Sequence, residues 1–225
     1  MIRGVLFDMD GVLLDTERLG LEIMIRLCAR RGYAFTRELY ISVLGCTTQR
    51  GQEILSRTFG EDFPFFELSE EFHRELLSIA QREGLPPKPG LRACIEGLKA
   101  RGIRAALATS TARPVVEGYF EKIPLLQNAF DAMVCGAEGG RSKPAPDIYL
   151  EAARRLGLAP GDCLGVEDSQ NGLRSLTAAG CVSVMVPDLL PYNDGLAGVV
   201  NHRLSDLSQV CALVDRLNAG ARARA

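Results

Sequence analysis

The sequence predicts an α/β fold: a core built on a doubly wound parallel sheet, together with a separate all-helical cap domain. Continuous apolar, β-branched runs that alternate with helical patterns predict the sheet, because strands buried on both faces are joined by right-handed crossover helices. Residues 17–83 predict the cap, since they show helical periodicity without an intervening strand. A Rossmann-like core is therefore expected at residues 1–14 and 88–225, and the cap domain at residues 15–87.

The core begins with an apolar strand at Gly4 and continues with strands and helices in turn. Four more apolar runs are predicted as strands: residues 104–109, 132–135, 163–166 and 182–186. Proline and serine are typical of helix starts, and glycine is typical of helix ends. On that basis, helices are expected to begin at Pro89-Gly90, Pro146 and Ser169 and to end at Gly102, Gly157 and Gly180.

The cap carries three groups of apolar residues at helical spacing. The groups are Leu19, Ile23 and Leu27; Ile54, Leu55 and Phe59; and Leu68, Phe72, Leu76 and Ile79. Residues 15–16 and the glycine- and proline-rich residues 84–90 interrupt regular structure at the two ends of the cap. The cap is therefore expected to be hinged to the core.

The composition excludes several classes of partner. A net charge of -2 and a pI near 5.8 leave no basic surface for nucleic acid. No apolar run approaches the roughly 18 residues of a membrane span, and the N-terminus lacks a signal-peptide layout, so a cytoplasmic protein without a membrane partner is expected. The seven cysteines are dispersed and are interpreted as reduced packing residues. We expect a monomer that acts on a small molecule.

Polar side chains follow the first four predicted strands, directly or in the next loop. They are Asp8 and Asp10, then Thr109 and Ser110, then Lys143, then Glu167 and Asp168. Open parallel sheets bind ligands beyond the carboxyl ends of their strands, so these side chains are expected to converge. Adjacent carboxylates at the end of a buried strand are costly unless a cation or a reaction requires them. Carboxylate oxygens suit Mg²⁺, and hydroxyl and ammonium groups suit a phosphate.

These residues occur within four motifs of the sequence. The motifs are Asp8-x-Asp10-Gly11-Val12-x-x-Asp15-Thr16, Thr109-Ser110, Ser142-Lys143-Pro144-x-Pro146-Asp147 and Glu167-Asp168-Ser169. In this order and spacing they resemble the motifs of the haloacid dehalogenase superfamily, in the phosphatase and β-phosphoglucomutase branch with a helical cap after the first motif. The resemblance covers essentially the whole chain. It implies a phosphoric monoester hydrolase: a Mg²⁺-dependent phosphatase of a small phosphorylated metabolite, such as a sugar or polyol phosphate, that acts through an aspartyl-phosphate.

The resemblance also implies roles for the acidic residues. Asp8 is the nucleophile, Asp10 is the general acid and later the base, and Asp168 holds Mg²⁺ together with Asp8 and the main-chain carbonyl of Asp10. Glu167 is either a further ligand or a supporting residue. These tasks agree with elementary chemistry, because an aspartate that attacks phosphorus must be ionised while the acid beside it must carry a proton.

Thr109, Ser110 and Lys143 are the phosphate-binding residues that the resemblance implies, with Ser110 contributing mainly its main-chain amide. Lys143 would balance the charge of the phosphoryl group. Gly11 is expected to allow a sharp turn after Asp10. The alternatives without a functional role are that Thr109 and Ser110 only end a strand and that Lys143 is a solvated loop residue.

Five other polar residues are interpreted as structural. Asp15 is expected to serve the hinge or to cap a helix, and Asp188 and Asp194 are expected to cap turns. His73 and His202 have no partner pattern and are expected to be structural or exposed.

Several alternatives to a phosphatase stay open. A β-phosphoglucomutase-like phosphomutase typically has a histidine shortly after the first motif and a basic residue in the first cap loop, and here Gly20 and residues 45–50 stand at those places. A non-catalytic phospho-acceptor domain also combines acidic residues, a threonine and a lysine, but without a helical insert of this size. A haloacid dehalogenase proper needs no second acid at Asp10. A dinucleotide-binding domain is disfavoured, because no G-x-G-x-x-G follows the first strand.

Overall fold

The computed structural model describes residues 1–44, 46 and 48–223, and within them the core is a six-stranded sheet. Its strands are β1 (Gly4–Phe7), β2 (Arg104–Thr109), β3 (Ala132–Cys135), β4 (Cys163–Glu167), β5 (Val182–Met185) and β6 (His202–Arg203). All neighbours are parallel, and the order across the sheet is β3-β2-β1-β4-β5-β6. The chain starts at the centre and winds outward first to one side and then to the other, so the predicted doubly wound sheet is confirmed.

Ten α-helices occur in the described residues. Four of them directly follow β1 and form the predicted helical insert: α1 (Thr16–Ala29), α2 (Arg37–Val43), α3 (Thr48–Phe59) and α4 (Phe65–Glu83). The core helices are α5 (Leu91–Ala100), α6 (Arg113–Phe120), α7 (Pro124–Gln127), α8 (Asp147–Arg155), α9 (Gln170–Ala179) and α10 (Val210–Arg222). The division into a core and a cap at residues 14/15 and 87/88 stays a prediction.

The register of the central strands brings their carboxyl ends to one level. Phe7, at the end of β1, pairs with Leu107 in β2 and with Val166 in β4. Asp8 follows Phe7, and Glu167 follows Val166. Both acidic side chains therefore leave the sheet at the same edge. The sequence did not predict β6, because a strand of 2 residues is too short to show a period.

Two residues beside this edge test the expected helix caps. Ser169 caps α9 as predicted, because its Oγ accepts a hydrogen bond from the Gly172 N–H at 3.0 Å. Asp15 precedes α1, but its side chain makes no capping hydrogen bond, so the expectation of a cap is wrong there. Its carboxylate lies instead 3.4 Å from the Lys88 ammonium and 3.4 Å from Arg18 Nε.

The two segments that join the insert to the core run side by side. The Asp15 N–H donates to the Pro86 carbonyl at 2.8 Å, and the Lys88 N–H donates to the Leu13 carbonyl at 2.9 Å. Lys88 is buried, and its ammonium lies 2.7 Å from Asp188 Oδ1. Asp188 is therefore an ion-pair partner at this junction, and the prediction of a turn cap is wrong for it.

Of the other residues predicted to be structural, Asp194 does not have the expected role and His73 does. Asn193, and not Asp194, caps the next turn by accepting from the Gly195 N–H at 3.0 Å. His73 is exposed, as predicted, and its Nδ1 lies 2.6 Å from the Ser69 carbonyl oxygen of the same helix.

All seven cysteines are free, and all except Cys46 are buried. The prediction of packing residues is therefore confirmed for the buried thiols and wrong for Cys46. None of the described helices is long and apolar enough to cross a membrane.

Candidate active site

Lys143 and two acidic residues form the centre of the site. The Lys143 ammonium donates to Asp8 Oδ1 and to Glu167 Oε1, each at 2.6 Å, and to the Ala108 carbonyl at 3.3 Å. The side chains of Lys143, Asp8 and Glu167 are only 9%, 11% and 0% exposed. A cation in this position offsets the cost of burying two carboxylates. The alternative of a solvated loop lysine is therefore wrong.

Glu167 is held by donors on both of its carboxylate oxygens. Oε1 accepts from Lys143 and from the Tyr149 hydroxyl at 2.6 Å. Oε2 accepts from the Ser169 hydroxyl at 2.9 Å and from the main-chain N–H groups of Ser169 and Asp168 at 3.1 and 3.2 Å. Burial opposes ionisation, but Lys143 and these donors lower the pKa of Glu167. Tyr149 escaped sequence analysis, because a tyrosine on a buried helix face is ordinarily core.

Asp8, Glu167 and Asp168 bring three carboxylates close together. One oxygen of each lies within 4.8 Å of the others. Burial raises the pKa of Asp8 to about 7, against the opposing charge of Lys143. Burial and the charges of Glu167 and Asp8 raise the pKa of Asp168 far above its usual range. Crowded, buried oxygen ligands of this kind fit a hard divalent cation such as Mg²⁺, which would offset the repulsion between them.

The Asp10 carboxylate turns away from that cluster towards two hydroxyl groups. Thr16 Oγ1 donates to Asp10 Oδ1 at 2.8 Å, and Thr111 Oγ1 donates to Asp10 Oδ2 at 2.8 Å. Burial raises the pKa of Asp10, although both hydroxyls act in the other direction. Sequence analysis missed Thr111. The signal was present, because three hydroxyl residues follow one another at the end of β2, of which only Thr109 and Ser110 were considered.

A cavity of about 450 Å³ lies over this edge of the sheet. Its walls include Asp8, Asp10, Thr109, Ser110, Lys143 and Asp168, which are six of the predicted site residues. The seventh, Glu167, is fully buried and accepts a hydrogen bond from Lys143. Thr109 is buried, and its Oγ1 accepts from the Thr111 N–H at 3.1 Å, whereas Ser110 is exposed to the cavity. The structure thus brings together the seven residues that the sequence predicted for the site.

Two glycines make room for the acidic cluster. Gly11 adopts a left-handed conformation, with φ +74°, and a β-carbon there would overlap the carboxylate of Asp168. A β-carbon on Gly172, at the start of α9, would overlap the carboxylate of Glu167. The sharp turn expected after Asp10 is therefore present, and it also serves the approach of Asp168.

A second cavity, of about 660 Å³, extends from the first into the helical insert. The two share five lining residues: Asp10, Glu17, Leu44, Cys46 and Ser110. Glu17 stands at this junction, and its Oε2 accepts from the Tyr40 hydroxyl at 3.1 Å. Burial and the charge of Asp10 raise the pKa of Glu17 to about 8. Sequence analysis missed both Glu17 and Tyr40, although Glu17 directly follows the first motif.

Gly20 faces the same junction from α1. A β-carbon on Gly20 would overlap the Tyr40 hydroxyl and touch the Phe72 ring at 3.2 Å. No side chain, and so no histidine, fits at position 20 while Tyr40 keeps this place. The cap-loop comparison with phosphomutases included Gly45 and Thr47, which lie outside the described residues.

Comparison with known proteins agrees with this geometry. A family model described as haloacid dehalogenase-like hydrolase matches residues 2–180. The chain belongs to the haloacid dehalogenase-like hydrolases. This membership confirms the resemblance that the four motifs predicted, and it excludes the non-catalytic phospho-acceptor alternative.

Several members of the haloacid dehalogenase-like family are similar to the chain over most of its length. The phosphorylated carbohydrates phosphatase of Thermotoga maritima is 32% identical over 80% of this chain and 82% of its own. Hexitol phosphatase B of Escherichia coli O157:H7 is 29% identical over 94% of this chain and 95% of its own. The crystal structure of CbbY from Rhodobacter sphaeroides with phosphate superposes with a TM-score of 0.75, at 28% identity, over 93% and 96% of the two chains. The predicted class, a phosphoric monoester hydrolase, is confirmed.

Proposed function

We propose that the protein is a Mg²⁺-dependent phosphatase that hydrolyses a small phosphorylated metabolite, of the sugar or polyol phosphate type, through an aspartyl-phosphate at Asp8. The observation that carries the proposal is the buried contact of Lys143 with Asp8 beside Asp168, at the floor of a cavity. Two similar proteins, a phosphatase of phosphorylated carbohydrates and a hexitol phosphatase, support the substrate type. The cytoplasmic location and the monomeric state stay predictions.

Asp8 and Asp10 divide the chemistry between them. A carboxylate oxygen of Asp8 attacks phosphorus, and the bond from phosphorus to the ester oxygen breaks while Asp10 gives that oxygen a proton. Asp10 then takes a proton from water, which attacks the aspartyl-phosphate, releases inorganic phosphate and regenerates the Asp8 carboxylate. The raised pKa of Asp10 supports its part, because a buried carboxyl retains a proton more readily than an exposed one.

Lys143, Thr109 and the main-chain amide of Ser110 are the proposed phosphate-binding groups. Lys143 already donates to Asp8 and would also contact the phosphoryl group, so it could offset the repulsion between the two anions. Glu167 is proposed to position Lys143, since its two oxygens already accept from the donors described above.

Asp8, Asp168 and the main-chain carbonyl of Asp10 would hold Mg²⁺. When bound, the ion neutralises charge on the oxygens of the phosphoryl group. The helical insert, residues 15–87, would cover the site, exclude bulk water and contact the leaving group.

The phosphomutase remains the alternative at this site. A mutase must protect the aspartyl-phosphate from water while a sugar reorients, and Gly20 leaves the cap without the expected histidine. We therefore expect β-glucose 1-phosphate, incubated with catalytic glucose 1,6-bisphosphate, to yield inorganic phosphate and negligible glucose 6-phosphate. Rapid conversion to glucose 6-phosphate with little free phosphate would establish the mutase instead.

The proposal is tested by phosphate release from a panel of sugar and polyol phosphates, with Mg²⁺ and with excess chelator. Activity is expected only with the metal ion, and Ca²⁺ should substitute poorly because its bonds are longer and its coordination number is higher. Asp8→Asn should lower turnover by at least about 10³-fold. Asp215→Asn, at a surface ion pair with Arg101, is the matched control. Substantial turnover by folded Asp8→Asn protein, or full activity in chelator, would refute the mechanism.

A further inference from the structure

The cavity inside the helical insert has an apolar far end. Its walls there are aromatic and aliphatic side chains of α1, α3, α4 and the loops between them, among them Met24, Phe35, Leu55, Phe63, Phe65 and Leu68. Four of these, Phe35, Leu55, Phe63 and Leu68, are buried in the hydrophobic core of the insert. The rings of Phe35, Phe59 and Phe63 stack on one another, with centroids 6.4 and 5.0 Å apart, which fixes this wall in place.

Most of the polar groups of the same cavity lie at its junction with the phosphate cavity. Asp10, Thr16, Glu17 and Thr111 line that junction, and hydrogen bonds join Asp10 to the two threonines. His73, on α4, also lines the cavity, and its Nδ1 lies 2.6 Å from the Ser69 carbonyl oxygen of its own helix. The acidic and threonine side chains are therefore concentrated next to the reacting phosphate, whereas the wall formed by the insert is mainly apolar, with Ser69 and His73 as its polar members.

This distribution of polar and apolar side chains indicates which kind of leaving group the cavity favours. A hydroxyl-rich chain that extended into the far end would lose its hydrogen bonds to water and find few partners among aromatic rings. An alkyl or aryl group there would be removed from water at no such cost. A volume of about 660 Å³ lies within the range of cavities that bind a whole metabolite-sized group.

We infer that the substrate is an amphiphilic phosphate monoester, with oxygen-bearing carbons next to its phosphate and an apolar alkyl or aryl group at its remote end. The inference rests on the proposed phosphatase function and narrows it. Unsubstituted sugar phosphates fill the junction and leave the apolar far end unused. The apolar group supplies binding energy that orients the ester oxygen towards Asp10.

A pair of esters that differ in one remote atom tests this directly. Hexyl phosphate and 6-hydroxyhexyl phosphate have the same length, but only the second places a hydroxyl at the far end. We expect kcat/KM to favour hexyl phosphate by at least about tenfold, and to rise about threefold per methylene from ethyl through butyl to hexyl phosphate. A flat series, or a preference for 6-hydroxyhexyl phosphate, would overturn the inference.

Ser69 gives a way to fill the cavity from α4, because it lines the cavity and is half-buried. Ser69→Phe should lower the ratio of hexyl to ethyl phosphate kcat/KM by about tenfold, whereas Ser69→Ala should retain it. Ser78→Phe adds the same ring at an exposed position of α4 outside the cavity lining, and serves as the control. An unchanged ratio in folded Ser69→Phe would contradict occupation of this cavity by the alkyl chain.

Binding measurements separate this inference from the proposed chemistry. Hexylphosphonate resists hydrolysis, and in calorimetry it should bind at least about tenfold tighter than methylphosphonate, with a negative heat-capacity change. Equal affinities would refute the apolar site whatever the enzyme hydrolyses. Tighter binding of hexylphosphonate with no Mg²⁺-dependent hydrolysis of any ester would support the apolar site and refute the phosphatase mechanism.

Discussion

The Lys143 ammonium lies 2.6 Å from Asp8 Oδ1, although the two residues are 135 positions apart in the chain. The pair connects the end of β1 to the loop before α8, and both side chains are nearly excluded from solvent. Since a buried ion pair stabilises only while both partners are present, each residue protects the other from an uncompensated charge.

Lys143→Met is therefore expected to damage both activity and stability. It leaves Asp8 and Glu167 buried without their cation, which should lower the free energy of unfolding by about 3 to 5 kcal/mol. Phosphate release should fall by at least about 10³-fold. Urea denaturation and a phosphate assay measure the two effects, with exposed Lys99→Met as control. Wild-type stability and turnover in Lys143→Met would show that the contact is incidental.

Thr111→Val should lower kcat by about 10- to 100-fold, because a hydrogen bond to a charged or partly charged carboxyl contributes about 1.5 to 3 kcal/mol. The missing hydroxyl leaves Asp10 Oδ2 without the donor that orients it. Thr111→Ser keeps an oxygen at that place and is expected to restore most of the rate. Thr58→Val, at an exposed threonine of α3, is the control. If the valine and serine variants are equally impaired, the hydroxyl is not the cause.

Glu17 predicts a pH dependence of stability. Its pKa is raised from 4.5 to about 8 in the folded chain, mainly by burial. The folded state therefore keeps a proton that the unfolded state releases, and stability falls as the pH rises from about 4.5 towards 8. Glu17→Gln cannot ionise and still offers Tyr40 an acceptor. In chelator it should match the wild type near pH 4.5 and exceed it by about 4 kcal/mol near pH 8, since each unit of pKa shift corresponds to about 1.4 kcal/mol.

The measurement is chemical denaturation of both proteins across that pH range. Glu83→Gln, at a 68% exposed side chain at the end of α4, should follow the wild-type curve at every pH. If Glu17→Gln follows it as well, Glu17 does not carry a raised pKa.

Lys88→Met is expected to destabilise the junction between insert and core by about 3 to 5 kcal/mol. The Asp188 side chain is 0% exposed and would lose its nearest cation, leaving Arg18 Nε at 3.5 Å. The double variant Lys88→Met, Asp188→Asn removes the stranded charge and should recover part of the loss. Thermal unfolding of the single and double variants measures the coupling, and additive losses would contradict a direct interaction.

The elements of this protein that were predictable from the sequence are those with a local cause. Unbroken apolar runs such as Arg104–Thr109 mark strands that are covered on both faces. Because all such strands end at one edge of a parallel sheet, the polar residues that follow them, Asp8 and Asp168 among them, are expected to meet without any knowledge of the packing. The helical insert was also predictable from a local cause, because the helical spacing of its apolar residues was enough to identify it.

Only the tertiary structure decided which side chains are hydrogen-bond or ion-pair partners. Thr111 on Asp10, Tyr149 on Glu167 and Tyr40 on Glu17 are contacts between distant elements. The same holds for Asp188, which was expected to cap a turn and instead pairs with Lys88. A hydrophobic period reports which face of an element is covered, but it carries no information about the partner, because the partner is set by how separate elements pack.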